Sequence, residues 1–448
     1  MANQISIPLF QELLDGFEAR RVLDRQTEPE FLLEARQEAI ENFRKLGFPN
    51  TKVEDWKYTN LAPFLREDYA TNLKAPVGTP LAEEAIHAAD IEDMDCYKLT
   101  LLNGKLQESA SDLDLPAFIA VRPMAAAVQD PTFQKYFGKS TNTAKHHFAA
   151  LNTALFSDGL YIEIAANAQL DKPLHLVHTY ATDTNVLVQP RHLIVVHRNA
   201  SLRLVETVVS AHTEEKIFVN SHTEVALEEN ANMHHYMVQT AAPSLRLLQH
   251  TEVCQLRDSV YNNYTFSLPA AQLLRNNLHV NLADEHTESH LFGLYLAADH
   301  QLVDNHTFMN HQMPHCESNE IYKGVLLDNA VGVFNGKVFV QEDAQKTNAF
   351  QQNNNLLLSN KATINSKPQL EIYADDVKCS HGSTTGQLSQ EAMFYLQSRG
   401  IGETTARAML VSAFAYDVTE KIGIPALEAY INKVINQHIP ASQELAKV

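Results

Sequence analysis

The segment YADDVKCSHGSTTG, residues 373–386, sets a thiol and an imidazole two positions apart at Cys379 and His381. On an extended strand, residues i and i+2 share a face, so the two side chains would stand side by side. A thiolate beside an imidazole is half of a tetrahedral metal site, or a nucleophile with its base. No oxyanion-hole signature such as GxSxG accompanies the pair, which weakens the hydrolase reading. Two ligands do not close a metal site. If the pair binds metal, the remaining ligands come from elsewhere in the fold or from a second chain. On spacing alone, a buried cysteine beside a satisfied histidine is the commoner outcome. Gly382 and Gly386 bracket the point where a strand would hand over to a helix, and backbone freedom is expected of them there.

The other histidines offer a second candidate. Of 21 in the chain, 16 fall between His175 and His315, among them His175 and His178, the pair His234 and His235, and His306, His311 and His315 beside Cys316. Imidazoles with a thiolate can hold zinc or iron. Neither paired CxxC nor HExxH spacing is present, however. On the outer faces of repeated strands, such histidines are expected to be surface or lightly buried structural residues. The four cysteines, Cys96, Cys254, Cys316 and Cys379, are dispersed, so the chain is poorly equipped to hold a cluster by itself. They are also too few to staple a chain of this length, which suits a reducing compartment. There is no Walker A sequence and no GxGxxG fingerprint, so nucleotide binding by this chain is not expected, and flavin or nicotinamide has no local signature.

Composition sets the frame for these residues. The chain has 448 residues and a net charge of −19, from 54 acidic against 35 basic side chains. Length suggests roughly three units at about 150 residues each, unless one elongated solenoid uses it all. The acids are spread without a tail, which argues against nucleic acid and anionic membranes as partners. The opening MANQISIPLF lacks the basic and apolar regions of a signal peptide, and no run of about 18 apolar residues would span a membrane. A cytosolic protein is expected.

Four zones must position the chemistry. Residues 1–87 read as helical. Thr27 and Glu30 fit a capping box, Phe31, Leu32, Ala35, Ala39, Ile40 and Phe43 recur at helical spacing, and Gly47 with Pro49 ends the run. Trp56, the only tryptophan, is expected to anchor a loop onto the core. Residues 88–171 are mixed, with strand-like Tyr97–Leu102 and Leu160–Ile164 and a helical stretch from Phe133 to Phe156. Residues 172–385 hold successive short runs such as LHLVHTY, HLIVVHR, MHHYMVQ and KVFV, many of them alternating as half-buried strands do. Polar corners recur among them. Asn199 to Asn230 is 31 residues, Asp299 to Asn329 is 30 and Asn329 to Asn360 is 31, with the gap of 69 from Asn230 to Asp299 read as two further periods. Such a repeat predicts a stacked β-solenoid, with Asn at corners where it tolerates the left-handed conformation. A sandwich would use more glycine in its tight turns. Residues 386–448 read as three helices, the first capped by Ser389 and Gly400, and are expected to close one end of the solenoid.

The stretch KPQLEIYADDVKCSHGSTTGQLSQEAMFYLQSRGI resembles the signature of the SufB/SufD family of iron–sulfur cluster assembly proteins, and GFPNTKVEDWKYTNL is similar to an element of its SufD branch. The resemblance covers most of the chain. It implies a mainly β fold: a right-handed parallel β-helix flanked by N-terminal and C-terminal helical regions. It also implies a non-catalytic scaffold subunit in a SufB–SufD heterodimer with two SufC ATPase subunits, in which SufB is the main scaffold and SufD supports iron acquisition. His381 matches the family's functional histidine, facing a SufB cysteine across the interface, and Cys379 matches the cysteine of the same signature. The helices around Glu391 to Lys421 match the part that docks SufC. Iron or an iron–sulfur cluster would be held transiently at the partner interface, and the isolated chain, which a homodimer would also suit, would bind none firmly. ATP-driven motion of SufC, passed through the C-terminal helices, would then open that interface. One departure is GSTTG where many members carry GATVG. The SufB branch runs longer with more cysteines, which favours SufD, and a SufB-branch scaffold protein is the first alternative. The remaining alternatives are a polysaccharide-acting solenoid enzyme and a self-contained metalloenzyme using His306, His311, His315 and Cys316.

Overall fold

The computed structural model describes residues 7–71, 89–211 and 214–438. From Leu160 to Gly386 the chain winds through eight coils, each giving one strand to each of two sheets. The first sheet holds Leu160–Ile164, Arg191–Val196, Ile217–Leu227, Leu245–Gln255, Leu273–Leu282, Leu302–His311, Val331–Val340 and Thr363–Ile372. The second holds Leu174–Tyr180, Ser201–Ser210, Asn232–Gln239, Val260–Ser267, Glu288–Ala297, Glu317–Leu326, Asn348–Leu357 and Lys378–Gly386. Neighbouring coils pair in parallel register, so like side chains stack: Val253 on Val280, then Met309, Val338 and Leu370. Each coil buries its inner face on the next, and this stacking holds the solenoid together. The earlier strand Tyr97–Leu102 extends the second sheet beside Leu174–Tyr180.

The corners confirm the reason for asparagine and correct the bookkeeping. Asn167, Asn199 and Asn230 are left-handed, with φ of 62°, 58° and 57°, and their amides form a ladder: Asn230 Nδ2 donates to Asn199 Oδ1 at 3.0 Å, and Asn199 Nδ2 to Asn167 Oδ1 at 2.9 Å. The same corner continues through Asp258, His286, His315 and Lys346. Asp299 and Asn329 belong to the opposite corner, where Asp328 rather than Asn329 takes the left-handed conformation, and Asn360 has no positive φ. The gap of 69 residues therefore mixed two corners, because both use short polar side chains.

Helices cover the two sheets from outside. Helices α1 (Pro8–Thr27) and α2 (Glu30–Leu46) pack with Trp56 and the buried face of a later helix against Phe218, Leu248 and Leu273 of the first sheet. Two short helices, α3 (Met124–Ala127) and α4 (Pro131–Tyr136), precede that later helix, α5 (His147–Leu155). The stretch from Phe133 to Phe156 is thus broken, with Gly138 at φ 72° just beyond α4. Thr27 makes no capping box: it is the last residue of α1, its hydroxyl donates to the Leu23 carbonyl, and Pro29 stands at the N-cap of α2. Gly47 ends α2 with φ 63°.

At the other terminus lie α6 (Gln390–Ser398), α7 (Glu403–Thr419) and α8 (Pro425–Gln437). Ser389 caps α6 through its hydroxyl, which accepts from the Ala392 N–H at 3.2 Å. Val411, Ala415, Val418, Leu427, Ile431 and Ile435 bury on Tyr236, Phe266 and Leu294, the outer face of the second sheet. These helices lie along the solenoid's side and do not close its end, because their apolar stripes pack on the apolar outer face of the second sheet. Among the described residues, no helix is long and apolar enough to cross a membrane.

Candidate functional site

The C-terminal end of the solenoid is open. Thr363–Ile372 and Lys378–Gly386 are the last strands of their sheets, and among the described residues nothing pairs with their outer edges. Lys378 N–H donates inward to the Thr347 carbonyl at 2.9 Å. In a parallel strand the hydrogen-bonding side alternates, so the N–H groups of Cys379, His381, Ser383 and Thr385 face the free edge. Such an edge is a ready template for another chain.

Cys379 and His381 share the inward face of that last strand, as their spacing predicts. Cys379 registers on Ala349, which is fully buried, and His381 on Gln351, while the intervening Ser380 lies on the outward side beside the exposed Phe350. Cys379 is half-buried against the core and His381 is exposed. Burial pushes the Cys379 thiol above its ordinary value, partly opposed by the Ala349 N–H. A thiol held protonated becomes a metal ligand only when metal or a neighbouring cation displaces its proton. Gly382 and Gly386 lie within the strand at ordinary φ, so the freedom expected of them is not used.

Behind His381 the solenoid interior carries polar side chains that the sequence reading missed. Gln351 Nε2 donates to Glu320 Oε2 at 2.7 Å, and Thr307 Oγ1 donates to Glu320 Oε1 at 2.5 Å. Burial raises the Glu320 carboxyl to about 7, although both donors oppose the shift. Beside it, Asn353 Nδ2 donates to the Tyr295 hydroxyl at 3.1 Å, and Ser366 Oγ donates to Asn353 Oδ1 at 2.7 Å. Ser366 in turn lies 2.8 Å from Ser383 on the open strand. Room for the tyrosines comes from glycine: a Cβ on Gly293 would meet the Tyr322 ring at 2.2 Å, and one on Gly324 the Tyr295 ring at 2.3 Å. Deeper in, Glu206 accepts from His178 at 2.6 Å and His235 at 2.5 Å. The sequence signal was polar residues at inward, period-two positions, such as Gln351, Asn353 and Asn355.

His286, His300 and His315 are exposed and His234, His279 and His290 part-buried, as expected, but other histidines lie deeper. His175, His192, His222, His235 and His311 are buried, each with a hydrogen-bonding partner; His175 meets Thr207 at 2.8 Å, for example. The group His306, His311, His315 and Cys316 does not converge. His306 pairs with Asp304 at 2.9 Å outside the first sheet. His311 meets Ser318 at 2.9 Å within the interior, and burial lowers it to about 3. His315 stacks on His286 at the corner, with ring centroids 5.1 Å apart. Cys316 is enclosed and accepts from Thr287 at 3.1 Å. These four residues make no common site.

Residues 178–414 match the family model described as SUF system FeS cluster assembly, SufBD core domain, and residues 9–176 match the SufBD protein N-terminal region. The chain belongs to the SufBD family. An iron–sulfur cluster assembly SufBD family protein of Synechocystis is 32% identical over 421 residues, spanning 92% of each chain. Iron–sulfur cluster assembly protein SufD of Escherichia coli is 27% identical over 407 residues, covering 90% of this chain and 92% of its own. SufD of Bacillus subtilis is 24% identical over 443 residues, covering 96% and 98%. The SufBD core match ends inside α7 and contains the whole open end with Cys379 and His381.

Proposed function

We propose that this chain is the SufD-like, non-catalytic scaffold subunit of a cytoplasmic iron–sulfur cluster assembly complex. It pairs through its open solenoid end with a SufB-like paralogue and carries a SufC-like ATPase on α6 and α7. One observation carries the reading: two terminal strands have free edges, and one of them, Lys378–Gly386, presents an inward-facing thiol and imidazole to whatever docks there. Edge pairing supplies main-chain hydrogen bonds, and alternate side chains supply specificity. Iron or a nascent cluster is then the cargo, held between Cys379, His381 and ligands from the partner. A half-site on each chain suits transient holding better than a closed four-ligand site would.

The ATPase surface is argued from exposure. Phe394 is 72% exposed and Tyr395 57%, on a helix of which only Met393 is buried, and Met409 and Tyr416 are exposed on α7. Aromatic side chains left on a helix surface are typical anchors of an interface. A physical route links this surface to the open end. Lys323 donates to the Phe414 carbonyl of α7 at 2.7 Å and pairs with Asp417. Its strand, Glu317–Leu326, pairs with Asn348–Leu357, which pairs with Lys378–Gly386. ATP-bound partner subunits shift the open end only if they favour one of its arrangements differentially.

Thr385→Pro tests the pairing. Proline on a free-edge N–H position is tolerated by the fold but denies a donor to an added strand. On co-expression with a SufB-like paralogue and a SufC-like ATPase, the variant is expected to lose the paralogue and keep the ATPase. Retention of both at native stoichiometry would count against the open end as the pairing surface.

A further inference from the structure

A second group of ligating side chains lies far in sequence from Cys379 and His381. A cavity of about 600 Å³ separates the outer face of the first sheet from the loop that leads into α5. Its lining includes His146, His250, Glu252, His279, Trp56 and Lys337. Two strands and one loop build it. Glu252 registers on His279 in the adjacent coil, with both side chains on the outward face, and His146, at the N-cap of α5, reaches in from above. The His146 ring lies 4.7 Å from His279 and 5.2 Å from His250, centroid to centroid. One ligand atom from each of His146, Glu252 and His279 lies within 4.8 Å of the others.

Two features set this group apart from an ordinary buried network. First, the charge is unbalanced. Glu252 is buried, yet its partners are imidazoles: Oε1 takes His250 Nε2 at 2.7 Å and His279 Nδ1 at 3.0 Å. Of the nearby cations, Arg275 pairs with Asp304, Arg191 with Glu224 and Lys337 with Glu371, while Lys145 is exposed on the cavity lining and makes no bond to Glu252. A buried carboxylate facing only imidazoles needs either a shared proton or a cation. Second, among the described residues no donor reaches Glu252 Oε2 and no side chain hydrogen-bonds the His146 ring.

We propose that His146, Glu252 and His279 form a binding site for one divalent first-row transition ion, distinct from the open end of the solenoid. Two imidazoles and one carboxylate are the ligand set of non-haem Fe(II) sites with open positions, and the same set takes zinc. Metal–ligand bonds of about 2.0–2.2 Å bring ligand atoms to roughly 3–3.5 Å from one another, so the side chains close by about 1–2 Å on binding. His146 stands on the loop side of the cavity, where that adjustment is least constrained by sheet packing. His250, already bonded to Glu252, orients the carboxylate from outside the ligand set, as outer-shell partners of metal sites do.

The test is a titration of the metal-stripped full chain with Co²⁺ under anaerobic conditions, followed by visible absorption, with Fe²⁺ and Zn²⁺ as competitors. One equivalent bound is expected, displaced by either competitor. His146→Ala and His279→Ala are each expected to weaken binding by at least about tenfold. Glu252→Gln, which keeps the shape and the hydrogen-bonding reach of the side chain, is expected to do the same. Cys379→Ala and His381→Ala are controls, expected to leave this site unchanged whatever the fate of the open-end reading. No binding at high micromolar metal by a chain with native circular dichroism would overturn the site in favour of a shared proton. So would binding that only the Cys379 or His381 variants remove.

Discussion

His381 on the exposed last strand stands in register with Gln351, whose side chain donates to buried Glu320 at 2.7 Å one coil further in. The exposed imidazole thus sits at the mouth of a polar interior, not at the edge of a dry core. Polar side chains therefore line the interior directly behind the open end.

Glu320 gives that interior a pH signature. Its carboxyl is raised to about 7 from an ordinary value of 4.5, first by burial. Between those values the folded state binds a proton that the unfolded state has released, so this contribution to stability is present in full below about 4.5 and is lost as pH rises to about 7. Glu320→Gln, with the Gln351 amide turned to accept from the new NH₂ group, should flatten the dependence. At pH 8 it should raise stability by on the order of 1–3 kcal/mol. Denaturant midpoints of both proteins across pH 5–8 check this; parallel curves would refute it.

Trp56 is the clasp between the N-terminal region and the coils. It is buried, the Arg275 guanidinium lies 3.7 Å from its ring centroid, and nearby Thr59 donates to Asp304, the partner of Arg275. Trp56→Ala should destabilise by about 3–5 kcal/mol, and Trp56→Phe should cost clearly less. An unchanged denaturant midpoint in the alanine variant would mean that the clasp carries no load.

Phe394 and Tyr395 should matter to a partner and not to the fold. Both are exposed on α6, so Phe394→Asp with Tyr395→Ser should alter stability by no more than about 0.5 kcal/mol per site. The same double variant should lose a SufC-like ATPase in pull-down by at least about tenfold, since interface aromatics commonly carry 2 kcal/mol or more. Undiminished capture would place the docking surface elsewhere.

Much of this architecture was legible in the sequence because it is periodic. Strand alternation, and asparagine's tolerance of the left-handed corner, follow from local sterics, and Cys379 and His381 share a face for the same reason. What failed was non-local. Asn230 and Asp299 look like members of one series, but only the three-dimensional path shows that they lie at opposite corners. The apolar stripes of α7 and α8 say that they bury something, not which surface. The deeply buried histidines were missed because burial with a partner depends on the next coil: His235 needs Glu206, and Glu252 needs His279, each from a different strand. Likewise Thr27 met the capping-box pattern, but the preceding helix simply runs through it.

The central claim is that the imidazole at the open end takes part in holding iron during cluster assembly. It is tested most directly by iron and sulfide analysis of His381→Ala purified with a SufB-like paralogue and a SufC-like ATPase. The account predicts that the complex forms at native stoichiometry, because the exposed ring supports no packing, while its iron content falls several-fold. Native iron content in that intact complex would contradict it.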